Sequence, residues 1–127
     1  MRRLAFQAMF IACAPLPLLA MANQDFTATS SAAAIITAVG PVRAEITRRI
    51  EAQKTLVQAG VGAALPPMSA RERQYILEGG HVTSSGTIVG FNSKYGVLVV
   101  LEPLYSGGAV EWRCKVVPVT AAPKACQ

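Results

Sequence analysis

The chain has 127 residues, of which 52% are apolar, and it carries a formal net charge of +5. This length accommodates a single domain and excludes a multidomain protein. Two of the positive charges, Arg2 and Arg3, lie at the very start, and the remaining mild excess of basic residues does not by itself indicate a nucleic-acid partner.

The first 22 residues have the pattern of a secretory signal peptide. Arg2 and Arg3 form a short basic start, and an apolar run over residues 4–19 follows. The run ends in LAMAN, where two alanines stand at the small-residue positions that a signal peptidase requires. We therefore expect cleavage between Ala22 and Asn23.

Two other interpretations of this segment fit less well. A membrane-spanning helix would need roughly 20 apolar residues, whereas this run is shorter and contains Pro15 and Pro17. A lipoprotein signal ending at Cys13 is a poor match because Phe10 stands three residues before the cysteine. Export predicts a periplasmic or secreted chain without a stable membrane span, with ten basic and seven acidic residues left.

The first half of the mature chain has helical spacing. Apolar residues recur every three or four positions and share one face, namely Ile35, Val39, Val42, Ile46 and Ile50. We predict one long helix from Ser31 to Ala59, about 43 Å in length at 1.5 Å per residue, with a kink at Gly40-Pro41. Residues 60–74 contain two glycines and two prolines and are predicted to be an irregular linker.

The second half predicts four short strands, at Tyr75–Val82, Thr87–Phe91, Val97–Leu101 and Val110–Val116. In the last strand Val110, Trp112 and Cys114 share one face, and Glu111, Arg113 and Lys115 share the other. Short consecutive strands with tight turns favour an antiparallel meander. The predicted fold class is α+β, with a long N-terminal helix packed on an antiparallel sheet of about four strands, and Val110 and Trp112 facing the helix.

Removal of the signal leaves two cysteines, Cys114 and Cys126. In an exported chain they predict one disulfide, whose twelve-position loop removes about 3 kcal/mol of unfolded-state entropy. His81 is the only histidine and no CxxC motif is present, so we expect no metal site and no cofactor. The serine-rich turns lack a base partner and the carboxylates of the sheet are single, so we expect no catalytic residues and no enzyme.

Several segments resemble the type IV pilin family. Gly86–Val89 is similar to the GTI-type second strand, and residues 98–103 are similar to the L-x-L-x-P third strand. Gly107–Cys114 resembles the G-G-x-(V/I)-x-W-x-C ending, and Ala122–Cys126 resembles the terminal L-P-x-x-C. NQDFTA at residues 23–28 looks like the Y-Q-D-Y-T-A that follows the membrane segment in that family, and the resemblance covers residues 23–62 and 75–127.

The resemblance implies a pilin-like globular domain over residues 23–127, with a C-terminal disulfide loop exposed for adhesion. The chain departs from the family at its start, where no glycine precedes Phe6 and no glutamate lies in the apolar run. A signal peptide over residues 1–22 would then take the place of the prepilin leader and of the membrane helix. The implied function is that of a non-enzymatic exported protein of the type IV pilus system, acting in cell adhesion or as an accessory factor or modulator of pilus assembly. A decayed pilin gene remains an open alternative.

The expected partners are pilins or pilus accessory proteins, and self-association is a further expectation. The candidate interaction residues are Ile35, Ile36, Lys115 and Lys124, because an apolar patch beside the helix and cations near the tail could contact a partner. The alternative function is a basic binding module for DNA or surface polysaccharide that uses Arg71, Arg73, Lys94, Arg113, Lys115 and Lys124. Nucleic acid is the less favoured ligand because no ladder of aromatic residues accompanies these charges.

Overall fold

A computed structural model describes residues 27–127. Its helices are α1 (Ala28–Ala38), α2 (Gly40–Gln53) and α3 (Ala70–Tyr75), and its strands are β1 (Gly79–Val82), β2 (Ile88–Asn92), β3 (Val97–Ser106) and β4 (Ala109–Val117). Two short 3-10 turns, Val119–Ala121 and Lys124–Cys126, complete the chain. The predicted α+β class is confirmed, while the signal peptide and its cleavage between Ala22 and Asn23 fall outside the described residues.

The prediction of one long helix over residues 31–59 is wrong in its extent and its continuity. The helical region begins at Ala28, where the hydroxyl of Thr27 accepts a hydrogen bond from the Ser30 N–H over 3.3 Å. It is divided at Val39, whose dihedral angles (φ −89°, ψ 3°) leave the helical region. Pro41 lies in the first turn of α2, where its missing N–H costs least and its ring crowds the preceding turn. The expected kink is therefore a break between two helices.

The helical region ends before residue 59 because the chain turns left-handed at Lys54, with φ 61°. The following loop is held against α2 by Arg49, which donates to the Val61 carbonyl over 2.6 Å and to the Glu45 carboxylate over 2.9 Å. The Gln53 amide adds bonds to the carbonyls of Thr55 and Val57. These side chains donate to carbonyl groups of the loop that follows α2 and so tie the loop to the end of the helix.

A third helix, α3, lies in the segment predicted to be an irregular linker. Its start is a capping box, because the Ser69 hydroxyl accepts from the Glu72 N–H and the Glu72 carboxylate accepts from the Ser69 N–H. Since α3 continues to Tyr75, the predicted first strand over residues 75–82 is too long, and β1 starts only at Gly79.

The four strands form an antiparallel meander in the order β1-β2-β3-β4. β2 pairs with β3 from Ile88↔Leu101 to Asn92↔Val97. β3 and β4 make the longest ladder, from Leu98↔Val117 to Ser106↔Ala109. The strands are longer than predicted on both sides of the Gly107-Gly108 turn, where positive φ angles of 62° and 80° favour glycine. β3 consequently extends beyond the point where β2 ends.

The core lies between the helices and the inner face of the sheet. Its buried side chains come from both layers and include Ala32, Ile35, Val39, Val42, Ile46, Ile50, Leu77, Ile88, Val97, Val99, Leu101 and Val116. α1 packs across β3 and β2, and α2 packs against β4. The two layers come close at Gly90, where an added Cβ atom would lie 3.0 Å from Ile35 and 2.9 Å from Leu77. A glycine in the middle of β2 thus lets the helix layer approach the sheet.

A buried polar side chain positions the connection from α3 to β1. Asn92 is fully buried, and its amide donates to the carbonyls of Gln74 and Ile76 over 2.9 Å and 3.2 Å. Its oxygen accepts from the Tyr95 N–H. These bonds satisfy backbone groups at the end of α3, and burial without them would be costly. Within residues 27–127, no helix combines the length and hydropathy needed to cross a membrane.

Candidate protein-interaction surface

The single tryptophan fastens β4 to the helix layer. The side chain of Trp112 is half-buried, packs against the core, and donates from Nε1 to the Thr47 hydroxyl over 2.9 Å. Val110 and Cys114 are on the same face and also pack against the core. The predicted inward direction of Val110 and Trp112 is therefore confirmed, and Trp112 serves as a structural anchor.

A disulfide joins Cys114 of β4 to Cys126, with a Cα–Cα distance of 5.0 Å, which confirms the predicted pairing. The segment between them folds back toward the helices, because Ala121 is buried in the core and its 3-10 turn packs against α1. Val119 is 82% exposed and Lys124 is also exposed. The C-terminal loop is thus anchored on one side and presents Val119 and Lys124 to solvent on the other.

The outer face of β4 carries alternating exposed charges. Arg113 lies 3.8 Å from the Glu102 carboxylate of β3, its partner in the ladder. Lys115 is exposed and stands opposite Val100, and Glu111 stands opposite Leu104. Charges of both signs therefore occur on this face, and the Arg113–Glu102 pair is too exposed to contribute much to stability.

An apolar row crosses the outer face beside these charges. The register brings Phe91, Leu98 and Val117 into line across β2, β3 and β4. Phe91 and Leu98 are half-buried, and Val117 is 57% exposed. The ring of Phe91 also lies over Gly79. Together with Val119 this row places apolar surface near the start of the C-terminal loop.

The structure places the two isoleucines of the predicted patch differently from the expectation. Ile35 is fully buried in the core, so this side chain is not available to a partner. Ile36 is half-buried and packs against the same core. Ile35 belongs to the apolar face of the helix, and such a face packs against the core. Ile36 lies at the margin of that face.

The basic residues proposed for a DNA or polysaccharide module lie on several separate elements. Arg71 and Arg73 are on α3, Arg113 and Lys115 are on β4, and Lys124 is in the C-terminal loop. Lys94 lies in the β2–β3 turn over the ring of Tyr75, 4.2 Å from its centroid. Lys94 thus contacts the Tyr75 ring, and Arg113 lies near Glu102. These two contacts leave fewer of the basic side chains available to an anionic ligand.

Two exposed carboxylates have lowered pKa values that local hydrogen bonds explain. The pKa of Glu78 is lowered because its Oε1 accepts from the hydroxyl and the backbone N–H of Ser93. The pKa of Glu72 is lowered by the backbone N–H of Ser69 first and by its side chain second. The Glu78 bond joins the start of β1 to the β2–β3 turn, and the Glu72 bond caps α3, so both carboxylates serve the architecture of the fold.

A groove with a volume of about 310 Å³ is lined by Arg71, Glu72, Tyr75 and Ile76. Glu72 is engaged in the capping box of α3, so the groove brings no carboxylate pair of the kind that acid–base catalysis uses. In the part of the chain that the structure describes, no cluster of three or more His, Cys, Asp or Glu residues could hold a metal ion. The expectation of a protein that works through contact surfaces stays a prediction.

Three residues that support the fold around these sites are not identified from the sequence. Thr47 was not recognised as the partner of Trp112, and no local pattern marks such a distant pair. Ser69 and Glu72 form a capping box whose S-x-x-E spacing is visible in the sequence and would have predicted α3.

The sequence matches no protein-family model and shows no significant similarity to a curated protein.

Proposed function

We propose that the chain is an exported, non-enzymatic, pilin-like protein of the type IV pilus system. It would act through protein–protein contacts, either in cell adhesion or as an accessory factor or modulator of pilus assembly. The partners would be pilins or pilus accessory proteins, met in the periplasm or at the cell surface.

One observation supports the proposal most. The segments that resemble pilins are adjacent in space: β2, β3 and β4 are successive strands of one meander, and a disulfide ties β4 to the tail. The Gly107–Cys114 segment is the β3–β4 turn with most of β4, and Ala122–Cys126 closes the loop beside it. A helix layer over such a sheet is the arrangement that the resemblance implies.

The proposed contact surface is the C-terminal loop with the adjoining edge of the outer face. Val117 and Val119 are its exposed apolar side chains, and Lys115 and Lys124 are its exposed cations. Exposed apolar residues surrounded by charges are typical of surfaces that bind another protein. Ile35 is left out of this surface because it is buried.

The proposal is tested by cellular location and by site-specific crosslinking. The full chain is expressed from its own gene, and the cells are fractionated into cytoplasm, periplasm and medium. A photo-crosslinking amino acid replaces Val119 in one strain and Glu51, an exposed residue of α2, in a control strain. Crosslinked species are identified by mass spectrometry.

We expect a pilus subunit or accessory protein to be captured at position 119 and not at position 51. Such capture from the exported fraction would support the proposal. Retention of the whole population in the cytoplasm would overturn it, and so would capture at position 119 of proteins unrelated to the pilus. A Cys126→Ala variant should lose the crosslink at position 119, since the loop is then no longer held at both ends.

A further inference from the structure

β4 is an edge strand of unusual length for so small a sheet. It has nine residues, and β3 is its only ladder partner in residues 27–127. An edge strand carries a row of backbone N–H and C=O groups that are ready to pair with another strand. The side chains of Glu111, Arg113 and Lys115 are exposed along the same strand.

The ladder registers show which residues direct their backbone groups to the free edge. The N–H of Thr83 donates to the Thr87 carbonyl and that of Glu78 to the Phe91 carbonyl, so odd-numbered residues of β2 bond toward β1. In an antiparallel sheet, successive residues of a strand direct their backbone N–H and C=O groups to the neighbouring strands on opposite sides. Even-numbered residues of β2 therefore bond to β3, and even-numbered residues of β3 bond to β4. Their partners in β4 are odd-numbered, as in Glu102↔Arg113.

It follows that four residues of β4 turn their backbone groups away from β3, namely Val110, Trp112, Cys114 and Val116. Pro103 is consistent with this assignment, because its missing N–H then lies on the β2 side, beyond the last pair Ile88↔Leu101. In the described part of the chain no other backbone hydrogen bond, including those of the C-terminal loop, involves these four residues. The backbone groups that these four residues direct to the edge therefore have no backbone partner in the described chain, while both 3-10 turns of the C-terminal loop pack against β4.

The charge pattern of β4 selects one way of pairing with a copy of itself. An antiparallel partner must keep the outer faces together, so odd-numbered residues meet odd-numbered residues. If Trp112 faces the partner's Trp112, Glu111 stands opposite the partner's Arg113, and the two-fold symmetry repeats this pair. A shift of two residues one way places Glu111 opposite the partner's Glu111. A shift of two residues the other way places Arg113 opposite the partner's Arg113, with Glu111 facing Lys115, so each alternative contains a like-charge pair.

The backbone geometry favours the same register. Trp112 has outward backbone groups, so two copies of Trp112 form a hydrogen-bonded pair, and so do Val110 and the partner's Cys114. Glu111 and the partner's Arg113 then form the non-hydrogen-bonded pair, in which side chains approach most closely. Arg113 would lie between Glu102 of its own chain and Glu111 of the partner, and charges would alternate along the row.

We propose that this chain self-associates through the free edge of β4, with two copies pairing antiparallel about Trp112 to form one continuous eight-stranded sheet. The occupant of the edge is a second copy of this chain, chosen by the complementary charges at Glu111 and Arg113. This inference is independent of the proposed function, since it requires no pilus protein.

A charge swap tests the interface. The full chain is expressed, the folded oxidised product is purified, and dimerisation is measured by sedimentation equilibrium over a range of concentrations. Glu111→Arg and Arg113→Glu each turn both symmetric pairs into like-charge pairs and should weaken dimerisation by about tenfold. The double variant E111R/R113E restores opposite charges and should restore dimerisation. Glu51→Arg, the same charge change on the exposed face of α2, is the control and should have no effect.

A second variant addresses the backbone. Val110→Pro removes an N–H that points to the free edge and leaves the β3–β4 ladder bonds intact, so it should abolish dimerisation while Trp112 fluorescence stays native. A monomer at every concentration up to about 1 mM would overturn the proposal. So would a dimer that is indifferent to the single reversals, or a double variant as weak as the single ones, because each points to a different interface or to a different occupant of the edge.

Discussion

The indole Nε1 of Trp112 donates a hydrogen bond to the hydroxyl of Thr47 across 2.9 Å, and the two residues are 65 positions apart in the chain. The same hydroxyl donates to the Arg43 carbonyl one turn earlier in α2, over 2.9 Å. This chain of two bonds fixes the position of β4 under α2. It gives the half-buried indole the acceptor that it needs.

Removal of this acceptor should destabilise the fold. Thr47→Val keeps the shape of the side chain but leaves the indole N–H without its partner, so we expect a loss of about 1–2 kcal/mol. Urea unfolding followed by fluorescence of Trp112, the only tryptophan, measures the change. Thr37→Val is the matched control, because within residues 27–127 the Thr37 hydroxyl bonds only to the Ala33 carbonyl of its own helix. Equal losses in both variants would contradict the role of the Trp112 bond.

The hydroxyl of Ser31 should be dispensable. Ser31 is fully buried in α1, and its Oγ has no hydrogen-bond partner among the described residues. Ser31→Ala removes an unsatisfied polar atom and favours the helix, so the free energy of unfolding should rise by about 1 kcal/mol. Thermal unfolding of the variant is compared with that of Ser84→Ala, whose side chain is exposed. A destabilised Ser31→Ala would indicate that the hydroxyl has a partner after all.

Two glycines should respond in opposite ways to the same substitution. Gly90→Ala places a Cβ atom within 2.9 Å of Leu77 and 3.0 Å of Ile35, and this overpacking should cost about 1–3 kcal/mol. Gly40→Ala meets no atom within 4 Å and lies in a helix, so it should stabilise by up to about 1 kcal/mol. Chemical denaturation of both variants checks the difference, and a neutral Gly90→Ala would show that the helix layer is free to move outward.

Acid should weaken the fold partly through Glu78. Its pKa in the folded chain is below the ordinary value of 4.5 because Ser93 donates to it. The folded state therefore favours the carboxylate, and this stabilisation is fully present above pH 4.5 and is lost as the pH falls through the folded pKa. Glu78→Gln should flatten the pH dependence of stability as the pH falls below 4.5. Ser93→Ala, which removes one of two donors, should have an intermediate effect, and an unchanged profile in both variants would contradict the assignment.

Loss of the disulfide should be the most costly change near the tail. The bond closes a loop with a sequence separation of 12, so Cys126→Ala should lower the free energy of unfolding by about 3 kcal/mol. Reduction of the unmodified chain should give a similar loss, while the variant should not respond to a reductant. Intact-mass measurement with and without alkylation verifies the bond, and a reductant-sensitive variant would point to another source of the effect.

The sheet could be predicted well because its strands carry their own signals. The alternation from Val110 to Lys115 identified both faces of β4, and the Gly107-Gly108 pair identified the turn before it. Pairing of Cys114 with Cys126 followed from the small number of cysteines. Each of these three inferences uses neighbouring residues or simple arithmetic, and none depends on distant parts of the fold.

The helices were harder to predict because their limits depend on single backbone angles. The apolar spacing identified the correct core face, including Ile35 and Ile46, but it continues across Val39, where the helix breaks. It gave no warning that Lys54 would adopt a left-handed conformation. Burial of Ile35 and the bond from Trp112 to Thr47 depend on packing between layers, which a single sequence does not display.

The unequal lengths of the strands determine where the sheet is most prone to local fluctuations. In the described chain, residues of β3 beyond Leu101 have β4 as their only ladder partner, because the β2 ladder ends at Ile88. The far end of the β3–β4 hairpin is therefore a two-stranded ribbon, with fewer neighbours than the four-stranded middle. Amide protons near Ser106 should exchange with solvent through small local fluctuations, whereas those near Val99 should require much larger openings. Motion in this domain would thus be concentrated at the tip of the hairpin.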